Sequence, residues 1–160
     1  MDMKNAFGAF LEKHGFLPLS TRNRYWRIFH ITHPKNVPSK NELKIERFRI
    51  KDSLEGKSGI YVYLDTNETF VYIGKAKNLY SRIYSHYRES FSGIGVWQEF
   101  FSMYKCELIV LWREIESDRQ RRAIEEMIED VTPSIFEKNY PRGKRQLKRL
   151  QSTTSEKQLK

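Results

Sequence analysis

Tyr61 and Tyr72 stand in two short, largely apolar stretches, Ser58–Asp65 and Phe70–Gly74, with the turn-forming run Asp65-Thr66-Asn67-Glu68 between them. The first stretch alternates, with Ile60, Val62 and Leu64 on one side and Tyr61, Tyr63 and Asp65 on the other. The pattern predicts an antiparallel hairpin, on which two phenols converge. A phenol is a weak base at its ordinary pKa of about 10, so it needs positive charge nearby to take a proton from water. Lys75 is placed to supply some. Asn78 is a helix N-cap residue by type, and the spacing after it predicts a helix to about Ser90. On that helix Leu79, Tyr80, Ile83, Tyr84 and Tyr87 form one face, and Arg82, His86 and Glu89 another. Arg82 and His86 are i,i+4 and hence side by side. A guanidinium that bonds two oxygens at once, beside an imidazole, suits a phosphate group. Carboxylates are concentrated in Ala-Ile-Glu-Glu-Met-Ile-Glu-Asp, residues 123–130. A base for water, donors for phosphate oxygens and a carboxylate for a cation are the parts that phosphodiester hydrolysis requires.

The elements that position these groups follow from the rest of the chain. Residues 2–14 have helical spacing with Phe7, Phe10 and Leu11 in a stripe; Gly15 offers a C-cap and Pro18 blocks continuation. Arg24–Thr32 is rich in aromatic and β-branched residues and reads as a strand. Pro34 and Pro38 bracket a loop, and Glu42–Ile50 alternates loosely enough to fit a strand or a helix. Residues 1–57 therefore read as an N-terminal extension, an added layer whose aromatics need a surface to pack on. Lys105–Arg113 is a strongly apolar strand, and Asp118 to about Val131 a helix that ends near Pro133. The central order is strand, strand, helix, strand, helix, with no internal repeat. Residues 138–160 form a basic C-terminal tail, polar and frayed by composition.

Gly59-Ile60-Tyr61, ten intervening residues and then Tyr72-Ile73-Gly74 reproduce both halves of a paired-strand signature. With Lys75 and Arg82 following, residues 58–137 resemble the catalytic core of the GIY-YIG nuclease superfamily. The resemblance implies an α/β (α+β) fold, with a small three-stranded antiparallel sheet flanked by helices. It also implies a metal-dependent endonuclease that hydrolyses DNA. In that family the tyrosine of the first triplet is usually assigned as general base, though the second has been proposed; here Tyr61 is favoured, with Tyr72 supporting or substituting. The family's essential arginine, ten residues after the second-triplet tyrosine, and the histidine or tyrosine four later correspond to Arg82 and His86. A single glutamate on the helix after the third strand holds one divalent cation in such enzymes. Glu125, Glu126 and Glu129 compete for that role. At about 100° per residue from Ile124, Glu125 falls at about 100°, Glu129 at about 140° and Glu126 at about 200°. Met127, Ile128 and Val131 set the buried stripe near Ile124, so Glu125 lies on its flank and Glu126 faces water. A lone carboxylate completed by water and phosphate oxygens suits Mg²⁺, with Mn²⁺ as a substitute. Two features depart from the family pattern. Phe136 stands where a Pro-x-x-Asn arrangement has its asparagine, with Asn139 three residues late, and the glutamate-to-proline interval is one residue short.

Composition bounds the rest. A length of 160 residues suits one catalytic core with a modest extension, and 39% hydrophobic residues suffice for a core. No apolar run reaches the ~20 residues of a membrane helix, and the start lacks a signal-peptide segment; a cytoplasmic protein of a bacterial or phage-infected cell is expected. The single cysteine, Cys106, excludes an internal disulfide and reads as a small buried hydrophobe. The net charge of +9 is uneven: residues 1–50 carry ten Lys/Arg and four Asp/Glu, residues 51–137 eleven and fifteen, residues 138–160 eight and one. Basic flanks around an acidic middle fit phosphate-gripping arms on a core with carboxylate chemistry. The DNA-contacting candidates are Arg22, Arg24, Arg27 and Lys35, interleaved with Tyr25, Trp26 and His33; Lys77; and Arg142, Lys144, Arg145, Lys148 and Arg149. The expected partner is double-stranded DNA, with a homodimer as one route to double-strand cutting. By elimination the expectation is a restriction-like or phage-type endonuclease. The rivals are a catalytically silent DNA-binding module, a structure-specific repair or recombination nuclease, and an adaptor with basic tails.

Overall fold

The computed structural model describes residues 2–92, 101 and 107–132. Cys106, Pro133, Asn139 and the basic cluster Arg142–Arg149 lie outside the described residues. Helix α1 spans Met3–Lys13, followed by strand β1 (Arg27–Thr32) and helix α2 (Lys40–Leu54). Strands β2 (Gly59–Leu64) and β3 (Phe70–Ala76) form the predicted hairpin, and helix α3 (Leu79–Glu89), strand β4 (Glu107–Glu114) and helix α4 (Asp118–Val131) follow.

All strand pairings are antiparallel, in the order β1-β4-β2-β3. The sheet thus has four strands where three were expected. The fourth is Arg27–Thr32 of the N-terminal extension, which pairs with the edge of β4 left open by β2. A strand with Phe29 and Ile31 buried on one side needs both backbone partners and a covered face, and β4 supplies the first. The ambiguous Glu42–Ile50 segment is helical. Ser39 and Glu42 close a reciprocal capping box, which settles the local choice before any packing is considered.

Strand β2 is central and buried along its whole length. Its alternate residues serve opposite faces, and each face is covered by two helices. On the Tyr61 face lies α3, backed by α2; on the Ile60 face lies α4, backed by α1. The β2–β3 turn is held by Asp65 Oδ1, which accepts the amides of Asn67 and Thr69 at 2.9 and 2.8 Å. Two further devices aim the helices. Asn78 caps α3 by accepting the Ser81 amide at 2.9 Å. The buried Arg121 donates to the Ile115 and Glu116 carbonyls at 2.8 and 2.7 Å, fastening the start of α4 to the end of β4 one turn before Glu125. Among the described residues no helix is long and apolar enough to cross a membrane.

Candidate active site

The two glycines of the paired triplets have separate physical reasons. A Cβ on Gly59 would fall on the Arg113 carbonyl of β4, so the residue must be bare for β2 and β4 to pair. A Cβ on Gly74 would lie 2.5 Å from Tyr61 Cζ, closer still to its hydroxyl, and 2.8 Å from the Tyr72 hydroxyl. Gly74 pairs with Tyr61 across the hairpin and leaves a notch that the Tyr61 phenol fills. Tyr72 pairs with Tyr63 on the same face, and the Tyr61 and Tyr72 ring centroids are 5.7 Å apart. The predicted convergence of the two phenols is therefore present, with their hydroxyls 3.5 Å apart.

Helix α3 brings His86 and Arg82 onto these phenols. His86 Nε2 is 2.9 Å from the Tyr61 hydroxyl, and Arg82 hydrogen-bonds both Tyr61 and Tyr72. Burial, then the neighbouring Tyr72 and Tyr63, push the Tyr61 phenol well above its ordinary value, against an opposing pull from Arg82. Burial also lowers the His86 imidazole, helped by Arg82 and opposed by Glu89. Both groups are thus neutral at neutral pH. Tyr61 and His86 Nε2 share one hydrogen bond, whose direction follows the imidazole tautomer: with the ring proton on Nδ1, Tyr61 donates to Nε2. The helix wheel separated Arg82, His86 and Glu89 from the apolar face; in three dimensions His86 is only 1% exposed, because α3 is packed between the sheet on one side and α2 on the other.

A second group approaches β3 from the opposite face. Lys75, paired with Ile60 and adjacent to Gly74, makes an ion pair with Glu125 of α4. Glu125 is buried, whereas Glu126 is exposed and Glu129 half-buried, in the order that helical phase gave. The Lys75 ammonium is therefore engaged by a carboxylate, and the positive charge at the phenols is that of Arg82. The two groups meet at one strand position: the Tyr61 hydroxyl rests against Gly74, and Lys75 is the next residue. Among the described residues no three His, Cys, Asp or Glu side chains cluster as a metal cage.

Of the basic residues singled out for DNA, Arg22, Arg24, Arg27, Lys35 and Lys77 are exposed. Arg27 is the one that the sheet register ties to the site. Arg27, Trp112, Tyr61 and Gly74 form one cross-strand row on the same face, and the Arg27 guanidinium lies 5.2 Å from the Trp112 ring centre. The interleaved aromatics divide. Trp26 is core, its indole N–H donating to the Phe16 carbonyl at 3.2 Å, while Tyr25 is half exposed between Arg24 and Arg113. His33 is buried, stacked on Phe101 with centroids 4.8 Å apart. Two side chains in this layer had no role in the sequence reading. Tyr63 is fully buried between Tyr61, Tyr72 and His86. Glu89 places its carboxylate 3.6 Å from His86 Nδ1. The signal for Glu89 was its position on the Arg82/His86 helix face.

The fold and this arrangement define a small mixed sheet-and-helix domain with a paired-tyrosine site. Residues 57–131, just under half of the chain, match the model of the UvrC-like GIY-YIG domain. The UvrABC system protein C of Bacteroides thetaiotaomicron is 51% identical over 35 residues, covering 22% of this chain and 6% of that protein. Its counterpart from Bacteroides fragilis is 43% identical over 53 residues, covering 32% of this chain and 9% of that protein. The chain thus corresponds to less than a tenth of the curated relatives it matches. No solved structure matches it.

Proposed function

We propose that this chain is an endonuclease that hydrolyses DNA phosphodiester bonds with one divalent cation, Mg²⁺ or in its place Mn²⁺. The observation that carries the reading is the 2.9 Å contact between Tyr61 and His86. Burial opposes a free phenolate, so Tyr61 acts by exchange. As a water molecule passes a proton to the phenol oxygen, the phenol's own proton moves to His86 Nε2, and the resulting hydroxide attacks phosphorus. The bond from phosphorus to the leaving oxygen breaks, and that oxygen takes a proton from solvent. Arg82, hydrogen-bonded to both phenols, is placed to donate to the phosphate oxygens on which charge accumulates. Tyr72 supports the water-side geometry.

Glu125 would hold the cation. A hard oxygen donor at the edge of the buried face fits a divalent ion that takes its other ligands from water and phosphate, and the ion would displace the Lys75 ammonium from the carboxylate. When bound, the ion supplies charge neutralisation at the phosphate oxygens. Arg27, two strands or roughly 10 Å from Tyr61 along the cross-strand row, supports a contact to a flanking phosphate of double-stranded DNA. Arg22, Arg24, Lys35, Lys77 and the tail Arg142, Lys144, Arg145, Lys148 and Arg149 add phosphate contacts, and a homodimer provides a second active site for double-strand cutting. The likeness to UvrABC system protein C favours a repair-type role over the restriction-like or phage-type one. A plasmid nicking assay with Mg²⁺ against chelator tests the activity, with Glu125→Ala and Arg82→Ala expected to keep the fold and DNA affinity and lose cleavage. Wild-type cutting by both variants would sink the assignment. Sequencing the ends of fragments from a defined plasmid separates site-specific, structure-specific and indiscriminate cutting.

A further inference from the structure

The Tyr61–His86 exchange leaves a charge to be accounted for. When His86 takes the phenol proton it becomes a cation at a buried position, close to the guanidinium of Arg82. Such a charge is costly unless an anion shares the site. Among the described residues the groups that face the imidazole are Tyr61 and Tyr63 from β2, Tyr72 from β3, Arg82 and Glu89 from α3, and the ring of Phe101, on which His33 is stacked. Among the described residues Glu89 is the one anion in that set.

We propose that Glu89 is the positioning residue of His86, so that Tyr61, His86 and Glu89 form a three-residue chain. His86 and Glu89 are i,i+3 on α3, with Nδ1 and Oε2 3.6 Å apart. The other carboxylate oxygen accepts the Ser85 hydroxyl at 3.1 Å, which fixes the carboxylate's orientation from one turn earlier. Glu89 therefore selects the tautomer: with an anion beside Nδ1 the imidazole proton resides there, and Nε2 is left as the acceptor for Tyr61. Burial works to raise the Glu89 carboxyl, but His86, Ser85 and Arg82 outweigh it and hold the group below the usual carboxylate range. It thus stays ionised while the proton moves. During the exchange the Tyr61 O–H bond breaks, the His86 Nε2–H bond forms, and the Nδ1 proton stays on the ring while its contact with Glu89 tightens. No proton passes to Glu89.

This proposal rests on the nuclease reading of Tyr61 and His86, and two measurements keep the two claims apart. The first follows the His86 imidazole by nuclear magnetic resonance across pH in the full chain without DNA, in wild type and Glu89→Gln, with the signal assigned by its loss in His86→Asn. Removing the anion is expected to lower the His86 midpoint; an unchanged midpoint overturns the pairing whether or not the chain cuts DNA. The second is single-turnover plasmid cleavage with Mg²⁺ across pH. Glu89→Gln is expected to lower the plateau rate at least tenfold with unchanged DNA affinity, and to move the acid limb to lower pH, because the limb follows His86 losing its base form. Glu89→Ala, which removes orientation as well as charge, should fall further. A Glu89→Gln enzyme with wild-type plateau and acid limb overturns the proposal. If wild type itself does not cut, the nuclease reading fails and the midpoint alone decides the Glu89–His86 pairing.

Discussion

Replacing Gly74 by alanine tests whether the notch beneath Tyr61 is what builds the site. The added methyl would lie 2.5 Å from Tyr61 Cζ, whereas ordinary contact begins near 3.4 Å, so the ring must retreat by about 0.9 Å. It has little room, since Tyr63, Tyr72 and His86 surround it with ring centroids 5.8, 5.7 and 5.9 Å away. Overpacking of this kind costs about 1–3 kcal/mol. Loss of the Tyr61–His86 hydrogen bond, with Arg82 and Tyr72 still beside the hydroxyl, adds about 0.5–1.5 kcal/mol. The expected loss of stability is about 1.5–4.5 kcal/mol, read as a lower midpoint in urea unfolding. Cleavage under conditions where the variant is folded should fall about a hundredfold, because a displacement near 1 Å misaligns the proton path. Gly8→Ala is the matched control. It lies in α1 with nothing within 4 Å of a new Cβ, and should be neutral or stabilising by about 0.5–1 kcal/mol. A Gly74→Ala protein with wild-type stability and wild-type cutting would refute the notch argument.

The remaining predictions concern the groups around it. Lys75→Ala strands a buried Glu125 carboxylate and should cost about 3 kcal/mol in urea unfolding; adding Glu125→Gln to that variant should recover most of the loss, and no recovery would mean that the pair is not the cause. His86 has its folded-state pKa lowered below the ordinary 6.5, so the unfolded chain binds the proton more readily and stability is lost as pH falls from about 6.5 toward the folded value. Thermal unfolding should therefore show wild type losing ground to His86→Asn between neutral pH and pH 5; a constant gap would contradict a buried neutral imidazole. Trp26→Ala should cost about 3–5 kcal/mol as a core truncation, whereas Tyr25→Ala, on a half-exposed ring, should stay within about 1 kcal/mol; equal effects in chemical denaturation would reverse the division of the two aromatics.

Much of the local structure is written in short-range pattern. The alternation of Ser58–Asp65, the Asn78 cap and the helical stripe Ile124, Met127, Ile128 and Val131 each specify an element without reference to the rest of the chain. Helical phase alone separated Glu125 from Glu126, because the angle between a residue and its own apolar stripe is a property of the helix. The Glu42–Ile50 segment was legible too, through Ser39 and Glu42, once a capping box was given more weight than loose alternation.

What the sequence could not assign was partnership between elements distant along the chain. Nothing local in Arg27–Thr32 says that it pairs with β4 to make a fourth strand, or that this puts Arg27 in one row with Trp112 and Tyr61. The helix wheel of α3 marks Arg82, His86 and Glu89 as sharing a face but not whether that face meets water or a sheet; packing against β2 and β3 buries His86 and turns Glu89 into its neighbour. Lys75 looked like a companion of the phenols by proximity in sequence, yet strand alternation sends it to the opposite face, where α4 offers Glu125. Periodicity records which way a side chain points from its own backbone; what each one meets depends on how separate elements close around a shared core, which no local pattern encodes.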